Sequence, residues 1–153
     1  MRSLTLAIAA AALACPCVMA GSPPPAGARL WTEADLESLS RSLAQTGAPY
    51  TQVIKGTTYG ALVLRRAVSG DPELHVKLND FFVVLGGHGE IRVGGRVTGE
   101  KTVAPDEKRG RKLLGGDLYR VGPGDLLFVP ANRWLQVLVA KGEVLQAIII
   151  KTQ

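Results

Sequence analysis

Beyond residue 50 the apolar residues fall into short runs of Val, Ile, Leu and aromatics, each closed by glycine, proline or a charged cluster. Runs of this kind are expected as strands at 52–55, 59–68, 74–77, 81–85, 90–93, 118–121, 126–129, 135–140 and 144–150. So many short strands in about 100 residues predict an all-β sandwich or antiparallel barrel. Ahead of them the period changes. Leu36, Leu39 and Leu43 recur at helical spacing behind Thr32-Glu33-Ala34-Asp35, where Thr32 can cap a helix and the acids suit its first turn. Gly47 and Pro49 end the pattern, and the leucine stripe is expected to lie against the outside of the domain.

The breaks between strands carry their own chemistry. Gly122-Pro123-Gly124-Asp125 puts proline where φ near −65° is wanted and glycine where φ is positive, which predicts a type II reversal. Gly86-Gly87-His88-Gly89 and Gly94-Gly95 read as two further reversals. His88 is expected as an exposed turn residue, and no helix follows these glycines to make a phosphate loop. The long break at 98–116, with the charged run 106–112, reads as a solvated charged loop or a protruding hairpin.

Between 73 and 95 two apolar strands begin with polar side chains, Glu73, His75 and Asp80, and a glycine-rich hairpin follows. The mouth or lining of a small barrel is the natural place for them. Three readings stay open for His75. It can be a buried ring hydrogen-bonded to Asp80 or Glu73, half of an acid/base or ligand-orienting couple with Asp80, or a metal ligand beside both carboxylates.

Glu73-x-His75, Asp80 and Val84-Leu85-Gly86-Gly87 together resemble the first motif of the cupins. The stretch from Gly124-Asp125 through Leu126, Phe128, Val129, Pro130 and Asn132 to Trp134-Leu135 resembles their second. The likeness runs over roughly residues 50–150. It is nearer still to secreted bacterial cupins, with a glycine-bearing segment at 107–116 between the motifs. It implies an all-β fold, an antiparallel jelly-roll (double-stranded β-helix) barrel with one short N-terminal helix. In metal-binding cupins the first motif supplies two histidines and a carboxylate and the second a histidine. Here Glu73 replaces the first histidine, His75 is the second, Asp80 stands for the glutamate, and Leu135 occupies the place of the last.

On this resemblance the expected function is small-ligand binding in the barrel without a full metal centre, with Phe81, Val83, Phe128, Trp134 and Leu135 lining the pocket. No cofactor is assigned. The alternatives are a metal-dependent isomerase or oxygenase holding a divalent transition metal on Glu73, His75 and Asp80, and a non-catalytic module that pairs with a second copy of itself. Strand alternation sends Phe81 and Phe82 to opposite faces.

The first twenty residues follow a different rule. Arg2, the apolar run 4–14 and the small residues ending at Ala20 make a secretory signal peptide, whose apolar core is shorter than a bilayer span. Export to the periplasm or outside is expected, with lipidation at Cys15 the weaker alternative because the usual leucine three positions earlier is missing. Cys15 and Cys17 are the chain's two cysteines, so cleavage near Ala20 leaves no disulfide staple. The three prolines at 23–25 make residues 21–31 a disordered lead-in to one domain at 32–153. A net charge of +5 and the lack of any aromatic-basic repeat do not describe a nucleic-acid-binding module, and no segment is long enough for a transmembrane helix.

Overall fold

The computed structural model describes residues 27–153. Trp31–Gln153 form one unit, and residues 27–30 fall with a separate N-terminal one. The expected signal peptide with its cysteines, and residues 21–26 of the expected lead-in, lie outside the described residues.

Helix α1 (Glu33–Thr46) starts where its sequence says. The Thr32 hydroxyl accepts from the Asp35 amide while the Asp35 carboxylate accepts from the Thr32 amide, so two otherwise orphaned donors are satisfied. Gly47 ends it in the left-handed region at φ 70°, and its amide donates to the Leu43 carbonyl. Leu43 is buried, Leu36 and Leu39 are half-buried, and the Ser40 hydroxyl donates to Gln146 Oε1 at 2.7 Å. This pins the helix to the sheet beneath it.

The strands are β1 (Tyr50–Lys55), β2 (Tyr59–Arg66), β3 (Glu73–His75), β4 (Asn79–Gly87), β5 (Gly89–Val93), β6 (Arg96–Thr98), β7 (Lys101–Ala104), β8 (Glu107–Arg109), β9 (Lys112–Leu114), β10 (Asp117–Val121), β11 (Leu126–Val129), β12 (Trp134–Leu138) and β13 (Leu145–Thr152). They pair antiparallel into a five-stranded sheet, β1-β2-β13-β4-β11, a six-stranded sheet, β10-β5-β12-β3-β8-β7, and a small β6-β9 ribbon. In the first sheet Ile149 stands across from Leu62 and Phe82, and Ala147 across from Leu64 and Val84. These residues meet Ile91, Leu135 and Val137 of the second sheet in one core. Phe82 has no exposed surface, so its truncation to alanine is expected to cost about 3–5 kcal/mol.

Two reversals depend on glycine. Gly124 has φ 90° and the Asp125 amide donates to the Gly122 carbonyl, as the type II reading requires. At Gly87, φ 67°, a Cβ would lie 1.6 Å from the Val144 carbonyl oxygen, so no other residue fits. The 98–116 segment takes the hairpin form of its two expected alternatives. It is built from strands, with β7 and β8 extending the edge of the six-stranded sheet and β9 pairing with β6. Its charges are laced across the edge, Lys108 to Glu100 at 2.7 Å and Lys77 to Asp106 at 3.1 Å.

Candidate functional site

Glu73 and His75 are two residues apart on β3, so both turn to the same face of the six-stranded sheet. Their cross-strand neighbours on β8 are Arg109 and Glu107. From the other sheet, Asp80 leads the inward row Asp80, Phe82, Val84 on β4. Lys151 on β13 stands directly opposite Asp80 and continues the inward row of Ala147 and Ile149. The polar groups therefore gather between the sheets, at one end of the apolar core.

There Lys151 Nζ lies 2.6 Å from Asp80 Oδ1 and 2.8 Å from His75 Nε2, while His75 Nε2 and Asp80 Oδ2 are 3.6 Å apart. An ammonium has only protons to give, so with Lys151 charged toward Asp80 the His75 Nε2 lone pair accepts from it and the ring proton sits on Nδ1. Asp80 is 2% exposed. Burial pushes its carboxyl above the usual aspartate value, although the Lys151 ammonium pulls it the other way.

Beside this trio Arg109 donates to both Glu73 and Glu107, bridging two carboxylates of neighbouring strands. Burial pulls the guanidinium down, but the two carboxylates outweigh it and hold Arg109 above its ordinary value. A cavity of about 200 Å³ opens over both groups. Its apolar wall is Leu62, Leu64, Val137 and Ile149, and its polar lining includes Gln52, Glu73, His75, Glu107, Arg109 and Lys151. A larger cleft of about 690 Å³, lined by His88, Glu90, Arg120, Asp125 and Glu143 among others, lies at the Leu145 end of β13. Lys151 is six residues further along that strand, about 20 Å away. The larger space holds no buried polar constellation, so volume alone does not mark the site.

The structure brings His75 and Asp80 into contact and leaves Glu73 close by, engaged with Arg109. Sequence reasoning missed Lys151 and Arg109. The expected lining residues are placed elsewhere. A strand that turns Asp80 inward also turns Phe82 and Val84 inward, so Phe81 and Val83 face out. Phe81 meets the half-exposed Phe128 on that outer face, with ring centroids 4.9 Å apart. Leu135, the cross-strand partner of Glu73, is sealed in the core at 1% exposure, and Trp134 is half-buried opposite Leu74. None of these five residues lines the 200 Å³ cavity. His88 is exposed in its turn, as expected.

A divalent transition metal would need several donors at about 2.0–2.2 Å. Among the described residues no group of three or more His, Cys, Asp or Glu side chains is disposed to hold one. The donor atoms of His75 and Asp80 face a lysine, and Glu73 faces an arginine. The residues present do not fit the metal of the metal-binding cupins.

The arrangement of two antiparallel sheets around one core matches known structures. A protein of Bacillus halodurans, BH2720, superposes with TM-score 0.56 at 18% identity, covering 83% of each chain. A Klebsiella pneumoniae protein with a double-stranded β-helix domain gives TM-score 0.57 at 11% identity over 82% of this chain and 90% of that one. The Schizosaccharomyces pombe Cnp3 cupin domain gives 0.51 at 11% identity over 68% of this chain, which spans 63% of that domain's length. The chain has the cupin fold. At these identities the likeness extends to the double-stranded β-helix and no further. No family model and no curated protein matches the chain. Among the described residues of this cupin fold, no helix is long and apolar enough to cross a membrane.

Proposed function

We propose that this protein binds a small molecule in the barrel cavity and does so without a divalent metal, the Lys151 ammonium taking the cation's place between His75 and Asp80. The single observation that carries this reading is the position of Nζ, 2.6 Å from Asp80 Oδ1 and 2.8 Å from His75 Nε2. A metal could use those donors only by expelling a cation already neutralised by a buried carboxylate. The same contact, together with Leu135 in place of the last histidine, weighs against an isomerase or oxygenase built on Glu73, His75 and Asp80. What remains is an apolar wall with a few convergent polar groups, the general form of a small-molecule pocket.

Two measurements test it. Protein purified without chelators is expected to carry no stoichiometric iron, manganese, nickel or zinc; a near-stoichiometric metal that disappears in His75→Ala would overturn the metal-free reading. Leu62→Trp, which fills the cavity wall, is expected to abolish small-molecule binding seen by NMR shifts, and unchanged binding would remove the ligand from the barrel.

A second reading concerns assembly. Phe128, Leu126, Ile150 and Leu85 are exposed on the outer face of the five-stranded sheet, which supports pairing with a second copy of the chain. The leader at 1–20 supports export with cleavage near Ala20, which N-terminal sequencing of the exported protein tests.

A further inference from the structure

The barrel cavity does not end at its mouth. Tyr50, Arg66 and Arg109 line it and also line a second, outer cleft of about 850 Å³ beneath the β7–β8 edge. The outer cleft is basic. Arg66, Lys101, Arg109 and Arg111 face it against Asp71 and Glu100. Arg109 is already neutralised by Glu73 and Glu107, and Glu100 is taken by Lys108. Among the described residues no ion pair engages Arg66, Lys101 or Arg111, which leaves three cations facing Asp71 alone.

Arg66 is the sharpest of these. Its Nε is buried and has no hydrogen-bond partner, the only such side-chain atom found among the described residues. A buried donor left unmade costs about 1–3 kcal/mol, more when the group is charged. The guanidinium also lies flat against Gly70, where a Cβ would come within 2.7 Å of Cζ. The glycine makes room for the arginine, and the arginine stands at the junction of the two spaces with a donor unfilled.

We propose that this cleft anchors the acidic end of the barrel's ligand, so that the ligand class is small molecules carrying a carboxylate or phosphate. The anion pairs with Arg66, assisted by Lys101 and Arg111, and the body of the molecule passes Tyr50 into the cavity lined by Leu62, Leu64 and Ile149. A guanidinium is suited to this because its planar fork matches an oxyanion with two parallel hydrogen bonds. The proposal rests on the barrel-ligand reading, but it can fail separately.

The test follows amide NMR shifts of the purified chain titrated with hexanoate, with its uncharged analogue hexanamide, and with inorganic phosphate. Hexanoate is expected to bind about tenfold or more tighter than hexanamide. Phosphate is expected to compete with it, and Arg66→Gln to erase the discrimination. Arg111→Gln, at an exposed position, is expected to reduce it and serves if Arg66→Gln does not fold. Equal binding of the acid and the amide, or discrimination that survives both substitutions, overturns the inference. If such equal binding is abolished by Leu62→Trp, the barrel reading stands alone. If hexanoate discriminates through Arg66 but is indifferent to Leu62→Trp, the anion site stands and the barrel reading falls. No response to any of the three compounds overturns the anion site.

Discussion

Lys151 and Asp80 are direct cross-strand partners on β13 and β4, and their side chains close to 2.6 Å inside the barrel. The carboxylate is almost wholly buried, so its desolvation is tolerable only while the ammonium is there. Lys151→Met removes the cation, keeps most of the side-chain volume, and is expected to destabilise the protein by about 3 kcal/mol. Adding Asp80→Asn should recover at least about 1 kcal/mol of that, because the amide leaves no stranded charge. Urea unfolding of the two single variants and the double variant measures the coupling. Additive losses would mean that the pair does not interact across the strands as described.

The same carboxyl sets a pH dependence. Its native pKa is raised, chiefly by burial, above the usual value of 3.8. Between the unfolded and native values the folded chain holds a proton that the unfolded chain has released. Stability from this group is therefore fully present below the unfolded pKa and is lost as pH rises through the native one. Asp80→Asn has no such loss. The stability of Asp80→Asn relative to the native sequence should rise as pH climbs from about 4 toward neutrality. Urea midpoints across that range decide it, and a relative stability that stays flat or falls with rising pH would contradict the raised pKa.

Arg109 ties β8 to β3 by serving Glu73 and Glu107 together. Arg109→Ala leaves two half-buried carboxylates facing one another with nothing between them. A loss of about 2 kcal/mol is expected. Arg109→Lys should recover less than half of it, because a single ammonium nitrogen cannot hold the two carboxylates apart in the fixed fork that Nη1 and Nη2 present. Thermal unfolding of the three proteins reads this out. Full rescue by lysine would reduce Arg109 to a point charge.

The alternation of residues made the strands legible and left the site half-read. His75 and Asp80 were visible because polar residues opening apolar strands are out of place. Lys151 was not, because the apolar run of the last strand stops at Ile150 and a lysine there looks like a solvated end. Carrying the two-residue period one step past Ile149 turns Lys151 inward, so the signal was present. Parity also settles the aromatic pair. Asp80 and Phe81 cannot share a face, and an inward carboxylate commits Phe82 to the core and Phe81 to the surface. Arg109 is different in kind. Its role depends on β8 reaching back to pair with β3, a contact between segments some 34 residues apart that no local pattern in a charged run reveals.

The outward parity of Phe81 has a consequence for assembly. Phe81, Val83, Leu126, Phe128, Ile148 and Ile150 share the outer face of β11, β4 and β13, while α1 covers the same face farther from β11, over Val63 of β2 and Gln146 of β13. Leu126 is 66% exposed and Phe128 51%, on β11, which is also an edge strand. A flat apolar face ending in an unpaired edge invites the same face of a second copy, since a two-fold contact covers both at once. The chain is expected to run as a dimer in sedimentation at micromolar concentration, and Leu126→Glu with Phe128→Glu to return it to the monomer mass with little change in urea midpoint, because neither side chain supports the core. A native chain that sediments as a monomer at high micromolar concentration would leave this face uncovered by self-association.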